Sequence, residues 1–173
     1  FRYIARQITE NAWLYSEMIN AGAIIYGDKD RFLMFNEGEQ PVALQLGGSE
    51  PADLAKAAKA AEEYGYNEIN LNCGCPSPRV LKGAFGACLM NEVGLVADCL
   101  NAMQDAVDIP VTVKHRIGVD RQTEYGVAAE FVGTLYEKTA CRTFIVHARN
   151  AWLDGLSPKE NREAPPLKYD YVY

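Results

Sequence analysis

With 173 residues, the chain has the length of one ordinary domain; 49% of its residues are hydrophobic and 23% charged, which excludes the disordered and collagen-like classes. A net charge of −6 argues against tight nucleic-acid binding by the chain as a whole, because neutralising phosphates needs clustered Lys and Arg. No apolar run approaches the roughly 20 residues of a membrane-spanning helix, and the opening stretch from Phe1 to Arg6 does not have the pattern of a signal peptide.

Along the chain, short apolar runs alternate with amphipathic stretches, the pattern of βα units. A first strand is expected at Trp13 to Glu17 and a second at Val42 to Leu46. The clearest helix follows at Pro51 to Tyr64, with Ser49 able to cap it, Pro51 suited to its first turn and Gly65 ending it. A third strand is expected at Glu68 to Leu71, then a helix at Val93 to Ala106 with Pro110 closing the connection, and a fourth strand at Val111 to Lys114. A last helix runs from about Thr123 to Thr139, where Val127, Phe131, Val132 and Leu135 recur at helical spacing, before a fifth strand at Thr143 to Val146.

Strands alternating with helices leave two architectures open, a doubly wound sheet and part of a (β/α)8 TIM barrel. No Gly-x-Gly-x-x-Gly follows the first strand, which disfavours a dinucleotide-type unit. The barrel is favoured by where the chemically useful residues fall. Gln45 is expected to end the second strand, Asn72 and Cys75 to follow the third, Lys114 to end the fourth and His147 the fifth. All would lie at carboxyl ends, the face on which barrel enzymes build their sites. A whole barrel takes about 250 residues, so this chain would supply about five of the eight units. Position 1 is not Met, and the chain is expected to be an internal piece of a longer protein.

The most informative stretch is Asn70-Leu71-Asn72-Cys73-Gly74-Cys75-Pro76-Ser77, a strand running into a Gly and Pro turn. Glycine accepts backbone conformations that a side chain forbids, which brings backbone close to a ligand. A metal reading of Cys73 and Cys75 lacks further ligands at finger-like spacing, so no metal is expected. Cys73 reads as a small buried apolar residue, the usual fate of a free cysteine. For Cys75, beyond the strand end, both that role and a chemical one are open. The five cysteines form an odd set without a secretory signal, which fits a reducing compartment, the cytoplasm, better than a disulfide framework.

Asn72-x-Gly74-Cys75-Pro76-Ser77 and then Gly83-Ala84-Phe85-Gly86-Ala87-Cys88-Leu89-Met90 resemble the active-site segment of the tRNA-dihydrouridine synthases. The resemblance continues through Val111 to Gly118 and is closest at Phe144-Ile145-Val146-His147-Ala148-Arg149, Ala151-Trp152-Leu153 and Gly155 to Arg162. That last run resembles the A-type subfamily. Tyr15 to Met18 and Val42 to Gly48 also match, so the similarity covers essentially the whole chain.

The resemblance implies an FMN-binding TIM-barrel catalytic domain over residues 1–173. Hydride would pass from NADPH through FMN to the 5,6 double bond of a uracil in the D-loop of tRNA, giving dihydrouridine. It implies Cys75 as the acid that protonates the other carbon; a thiol is largely protonated at neutral pH unless a cation or metal intervenes, and so can donate. Gln45, Lys114 and His147 would hold the flavin, and Asn72, Lys159, Arg162 and Arg149 would meet tRNA. It also implies that the family's first barrel strand, its later phosphate-binding strands and its C-terminal helical domain lie outside this chain. Cys73 stands where family members usually carry an aliphatic residue, a small change on a packed face.

Each residue taken alone has a plainer reading. Gln45 can satisfy backbone at a strand end, Lys114 can be a solvated charge beside His115 and Arg116, and His147 can be a core histidine. The stretch Ala148 to Pro166, which mixes Arg149, Trp152, Lys159 and Arg162, can be an RNA-contacting loop or a solvated connection; its length favours contact. Two other functions compete, a catalytically inactive RNA-binding remnant and an FMN barrel oxidoreductase acting on a small pyrimidine.

Overall fold

A computed structural model describes residues 1–173. It contains one five-stranded parallel sheet made of β1 (Leu14–Asn20), β2 (Val42–Gly47), β3 (Glu68–Cys73), β4 (Val111–Arg116) and β5 (Phe144–His147). Helix α1 (Arg2–Ile8) precedes it. Helices α2 (Ala21–Tyr26) and α3 (Lys29–Leu33) join β1 to β2, and α4 (Pro51–Glu63) joins β2 to β3. Between β3 and β4 lie α5 (Pro78–Lys82), a 3-10 segment at Gly86–Asn91 and α6 (Val93–Gln104). Helix α7 (Tyr125–Lys138) leads to β5, and α8 (Glu160–Glu163) follows it.

The strands stand side by side in sequence order, β1-β2-β3-β4-β5, all parallel. A doubly wound sheet reverses its order at a switch point; this one does not. Consecutive parallel strands joined by helical crossovers are the repeating unit of a (β/α)8 barrel, and the open sheet is part of one. All five expected strands and the three expected long helices form.

Alternation along each strand sorts residues between two faces. Val42, Leu44 and Leu46, then Ile69, Leu71 and Cys73, then Val111 and Val113 join Leu54, Ala57, Ala61, Val96, Leu100, Met103, Phe131 and Leu135 in one apolar core. Burying a side chain such as Leu71 contributes about 2 kcal/mol. The small residues Ala57, Ala58, Ala60 and Ala61 make the buried face of α4, where the absence of bulk permits close approach to its neighbours. The other face of the sheet carries Gln45, Glu68, Asn70, Asn72, Thr112 and Lys114, which is polar and forms the wall of the site.

Three local expectations are corrected. Ser49 does not cap α4; the helix starts one residue later than that cap requires, so Glu50 holds the position and makes no side-chain bond. Gln45 and Lys114 do not end their strands, and Asn72 lies inside β3, which runs to Cys73, rather than after it. Strand β2 runs on to Gly47 and β4 to Arg116, since continued pairing such as Arg116 with His147 does not require apolar side chains. Finally, Gly74 needs no glycine-only conformation: it is absent from the positive-φ residues, and a Cβ there would meet backbone only at an ordinary 3.6 Å. The indispensable glycine is Gly86, with φ +77°, where a Cβ would lie 2.5 Å from the Cys75 carbonyl oxygen.

Candidate active site

The turn after β3 is held from both sides. Asn72 Oδ1 accepts the backbone N–H groups of Gly74 at 3.1 Å and Cys75 at 3.0 Å. The Cys75 carbonyl accepts Ala87 N–H at 2.9 Å, a contact possible because Gly86 brings that backbone so close. The Cys75 side chain remains partly exposed, whereas Cys73 is fully buried and its thiol is pushed far above the ordinary range by burial. Cys73 is therefore a core residue.

Arg116, at the end of β4, ties this turn to the segment after β5. Its Nε donates to Gly74 O at 3.1 Å, and its Nη1 donates to Asn150 O at 3.1 Å and Asn161 O at 3.0 Å. Asn161 in turn is fully buried, accepts Trp152 N–H and donates to the Trp152 and Leu156 carbonyls. The stretch 148–166 is thus a folded segment anchored on Arg116 rather than a loose loop. Lys159 and Arg162 are exposed on it, and half-buried Arg149 donates to the Pro165 carbonyl.

The electrostatics are one-sided. Arg116 is 3% exposed; burial pushes its guanidinium down to about 10, with Cys75 opposing the shift and Arg149 and Arg162 adding to it, so it stays charged at neutral pH. Lys114 is lowered by burial and then by Arg116, while Cys75 acts in the opposite direction. His147 is held near 4 by burial and by Arg116, Lys114, Arg149 and Arg162, so its ring is neutral at pH 7. No carboxylate answers these charges: the ion pairs are Arg2–Glu17, Arg2–Glu39 and Lys56–Asp53, all elsewhere. Buried cations without acidic partners form a site prepared for negative charge.

Gln45, from β2, lies against Asn70 and Asn72 of β3 through bonds of 2.8 and 2.7 Å, and Asn72 pairs in register with Lys114. Cys75, Gln45, Asn72, Lys114 and His147 therefore share the carboxyl end and the polar face of one sheet. In the sequence Arg116 stands out only as part of a motif, and Asn150 and Asn161 carry no signal of their own, since a side chain that binds distant carbonyls leaves no spacing pattern.

Two clefts flank the sheet. One of about 560 Å³ borders the cysteine turn and is lined by Met18, Phe32, Ser77, Arg79, Val80 and Phe85. The other, about 540 Å³, lies on the helical side of β4 and β5, with His115, Tyr125, Val132, Tyr136 and Phe144 among its lining residues. The first touches the segment after the cysteine turn through Ser77, and neither is lined by Cys75, Lys114 or His147. No helix is long and apolar enough to cross a membrane.

The family model for dihydrouridine synthase (Dus) matches residues 1–173. Among curated relatives, proteins named tRNA-dihydrouridine(20/20a) synthase are 60% identical in Xylella fastidiosa (strain Temecula1 / ATCC 700964), 60% in Yersinia pestis and 59% in Escherichia coli (strain K12), each over 99% of this chain. The chain spans about half the length of these relatives, 52%, 50% and 50% respectively. On this match and on its run of parallel βα units, the chain belongs to the dihydrouridine synthase family.

Proposed function

We propose that this chain carries the catalytic face of an FMN-dependent enzyme that reduces uridine to 5,6-dihydrouridine in the D-loop of tRNA, with NADPH as reductant and Cys75 as the proton donor. The names of the relatives specify tRNA positions 20 and 20a, and we extend that substrate to this protein. The observation that carries the reading is the convergence of a partly exposed thiol with Lys114, Arg116 and a neutral His147, the two cations paired with no carboxylate.

The residues present fit a flavin. Gln45 keeps one amide hydrogen beyond its bond to Asn70 and one lone pair beyond its bond from Asn72, enough to bind the polar edge of a ring. Lys114 has the charge to offset negative charge on a reduced ring or a phosphate, and His147 offers an uncharged nitrogen. When bound, FMN would supply the hydride for one carbon of the 5,6 double bond.

Cys75 then gives its thiol proton to the other carbon, completing addition across the bond. The thiolate left behind is then reprotonated from water, which restores the acid. Asn72 keeps the thiol in place by fixing its turn and has a second amide hydrogen free for RNA. Arg149, Lys159 and Arg162 supply phosphate or base contacts from the anchored segment, where exposure of Lys159 and Arg162 permits approach.

Cys75→Ala in the full protein tests the assignment. Flavin absorbance and its bleaching by NADPH are expected to persist while dihydrouridine formation in unmodified tRNA falls by about 100-fold or more. Undiminished product formation would remove Cys75 as the acid.

A further inference from the structure

A continuous hydrogen-bonded row crosses the polar face of the sheet from the start of β3 to the cysteine turn. Thr112 Oγ1 donates to Glu68 Oε1 at 2.6 Å and accepts Asn70 Nδ2 at 2.9 Å. Asn70 Oδ1 accepts Gln45 Nε2 at 2.8 Å, and Gln45 Oε1 accepts Asn72 Nδ2 at 2.7 Å. Asn72 Oδ1 then accepts the N–H groups of Gly74 and Cys75.

The two ends fix the direction of every link. Backbone N–H groups can only donate, so Asn72 must turn its oxygen to the cysteine turn and its nitrogen to Gln45. Gln45 must then present oxygen to Asn72 and nitrogen to Asn70, and Asn70 must present nitrogen to Thr112. At the far end Glu68 Oε1 receives Tyr15 at 2.9 Å as well as Thr112. Burial and the adjacent Glu68 raise the Tyr15 hydroxyl far above its ordinary range, so it remains a donor and Glu68 must accept. Reversing any amide sets like against like at both of its neighbours. Asn70 is fully buried and Thr112 is 3% exposed, so water offers little relief.

We propose that Glu68, Thr112 and Asn70 are positioning residues, which act through Gln45 and Asn72 to set the amide orientation that holds the Cys75 turn. Glu68 fixes the polarity at one end, and the row carries it across the sheet to the reacting thiol. The catalytic consequence rests on the function proposed above; the positioning does not.

The test compares Thr112→Val with Thr112→Ser in the full protein, reading amide hydrogen exchange at Gly74 and Cys75 by NMR. Val keeps the shape and removes the hydroxyl, leaving Asn70 free to turn; Ser keeps the hydroxyl. Exchange at both amides is expected to rise about five- to tenfold in Thr112→Val and to return to the parent rate in Thr112→Ser. Leu71 and Val113 amides report whether the sheet is intact. Unchanged exchange at Gly74 and Cys75 in a folded Thr112→Val protein overturns the proposal, as does an equal rise in both variants. Gln45→Leu cuts the row at a less buried link and is expected to give the same rise, so a Thr112→Val protein that does not fold leaves the proposal open to refutation by this variant. With tRNA, Thr112→Val is expected to lower kcat about five- to tenfold at unchanged KM. Altered exchange with unaltered kcat would leave the positioning standing and count against Cys75 as the proton donor.

Discussion

Arg116 Nε donates to the Gly74 carbonyl oxygen at 3.1 Å across 42 residues of chain, so the position of the cysteine turn is set by β4 as well as by β3. The same guanidinium binds Asn150 and Asn161 carbonyls through Nη1, which makes the turn and the segment bearing Lys159 and Arg162 one unit.

Arg116→Lys is therefore a severe change despite keeping the charge. A single ammonium on a flexible stem cannot serve carbonyls lying in the directions of a rigid fork. Urea unfolding is expected to show a loss of about 2 to 4 kcal/mol, together with faster amide exchange in both the cysteine turn and the 148–166 segment. Loosening of one without the other would show that the two are not joined through Arg116.

Much of this was legible in the sequence, and what escaped has identifiable causes. The core face of β3 shows as Ile69, Leu71 and Cys73, but the alternating Glu68, Asn70 and Asn72 between them carry the hydrogen-bonded row, a signal that a search for apolar runs passes over. Strands β2 and β4 run on past Gln45 and Lys114 to Gly47 and Arg116, because backbone pairing continues where the apolar pattern stops. Helices α1, α2 and α3 have seven, six and five residues, too few for a helical period to emerge. Helix α1 is fixed instead by buried Arg6, which donates to carbonyls of Thr9, Glu10, Ala12, Glu39 and Pro41. The candidate site residues are legible because they fall toward the carboxyl ends of successive strands and within motifs that resemble a known family; their anchors are not, because anchoring depends on three-dimensional proximity alone.

Glycine exchange separates the two glycines beside Cys75. Gly86→Ala puts a methyl 2.4 Å from Val80 Cγ1 and 2.5 Å from Cys75 O, at φ +77°, and is expected to cost about 2 to 4 kcal/mol while displacing the turn. Gly74→Ala meets nothing nearer than 3.6 Å and is expected to stay within about 1 kcal/mol of the parent. Thermal or urea unfolding decides the order, and equal losses would refute it.

Lys114 offers a test of the proposed flavin site. It is half-buried, without a carboxylate partner, and faces the same mouth as His147, so a bound anionic group is its natural counter-charge. Lys114→Ala is expected to weaken FMN binding about 10- to 100-fold, the worth of one charged hydrogen bond, measured by fluorescence titration. Lys114→Met, which keeps most of the stem, is expected to match the Ala variant. Retention of parent affinity by the Met variant would assign the effect to packing instead.

His115 gives the protein a pH dependence that originates behind the site. Its Nδ1 lies 2.6 Å from the Arg116 carbonyl oxygen, which can only accept, so Nδ1 carries the proton. Nε2 is buried without a partner, and the ring packs against Phe131 and Phe144 at centroid distances of 5.0 and 6.2 Å. Burial lowers this imidazole from 6.5 to about 4; the Arg116 carbonyl opposes the shift and Lys114 adds to it. Because the folded value lies below the unfolded one, the unfolded chain takes up a proton first as pH falls. Stability from this group is complete above pH 6.5, declines between pH 6.5 and 4 by about 3 kcal/mol, and is level below that. His115→Phe forfeits the bond to the Arg116 carbonyl at every pH but has nothing to titrate. The stability of the parent relative to His115→Phe, measured by urea unfolding, is therefore expected to fall by about 3 kcal/mol between pH 7 and pH 4, with the contributions of carboxylates common to both cancelling. A difference independent of pH would mean that the folded imidazole accepts its proton as readily as the unfolded one does.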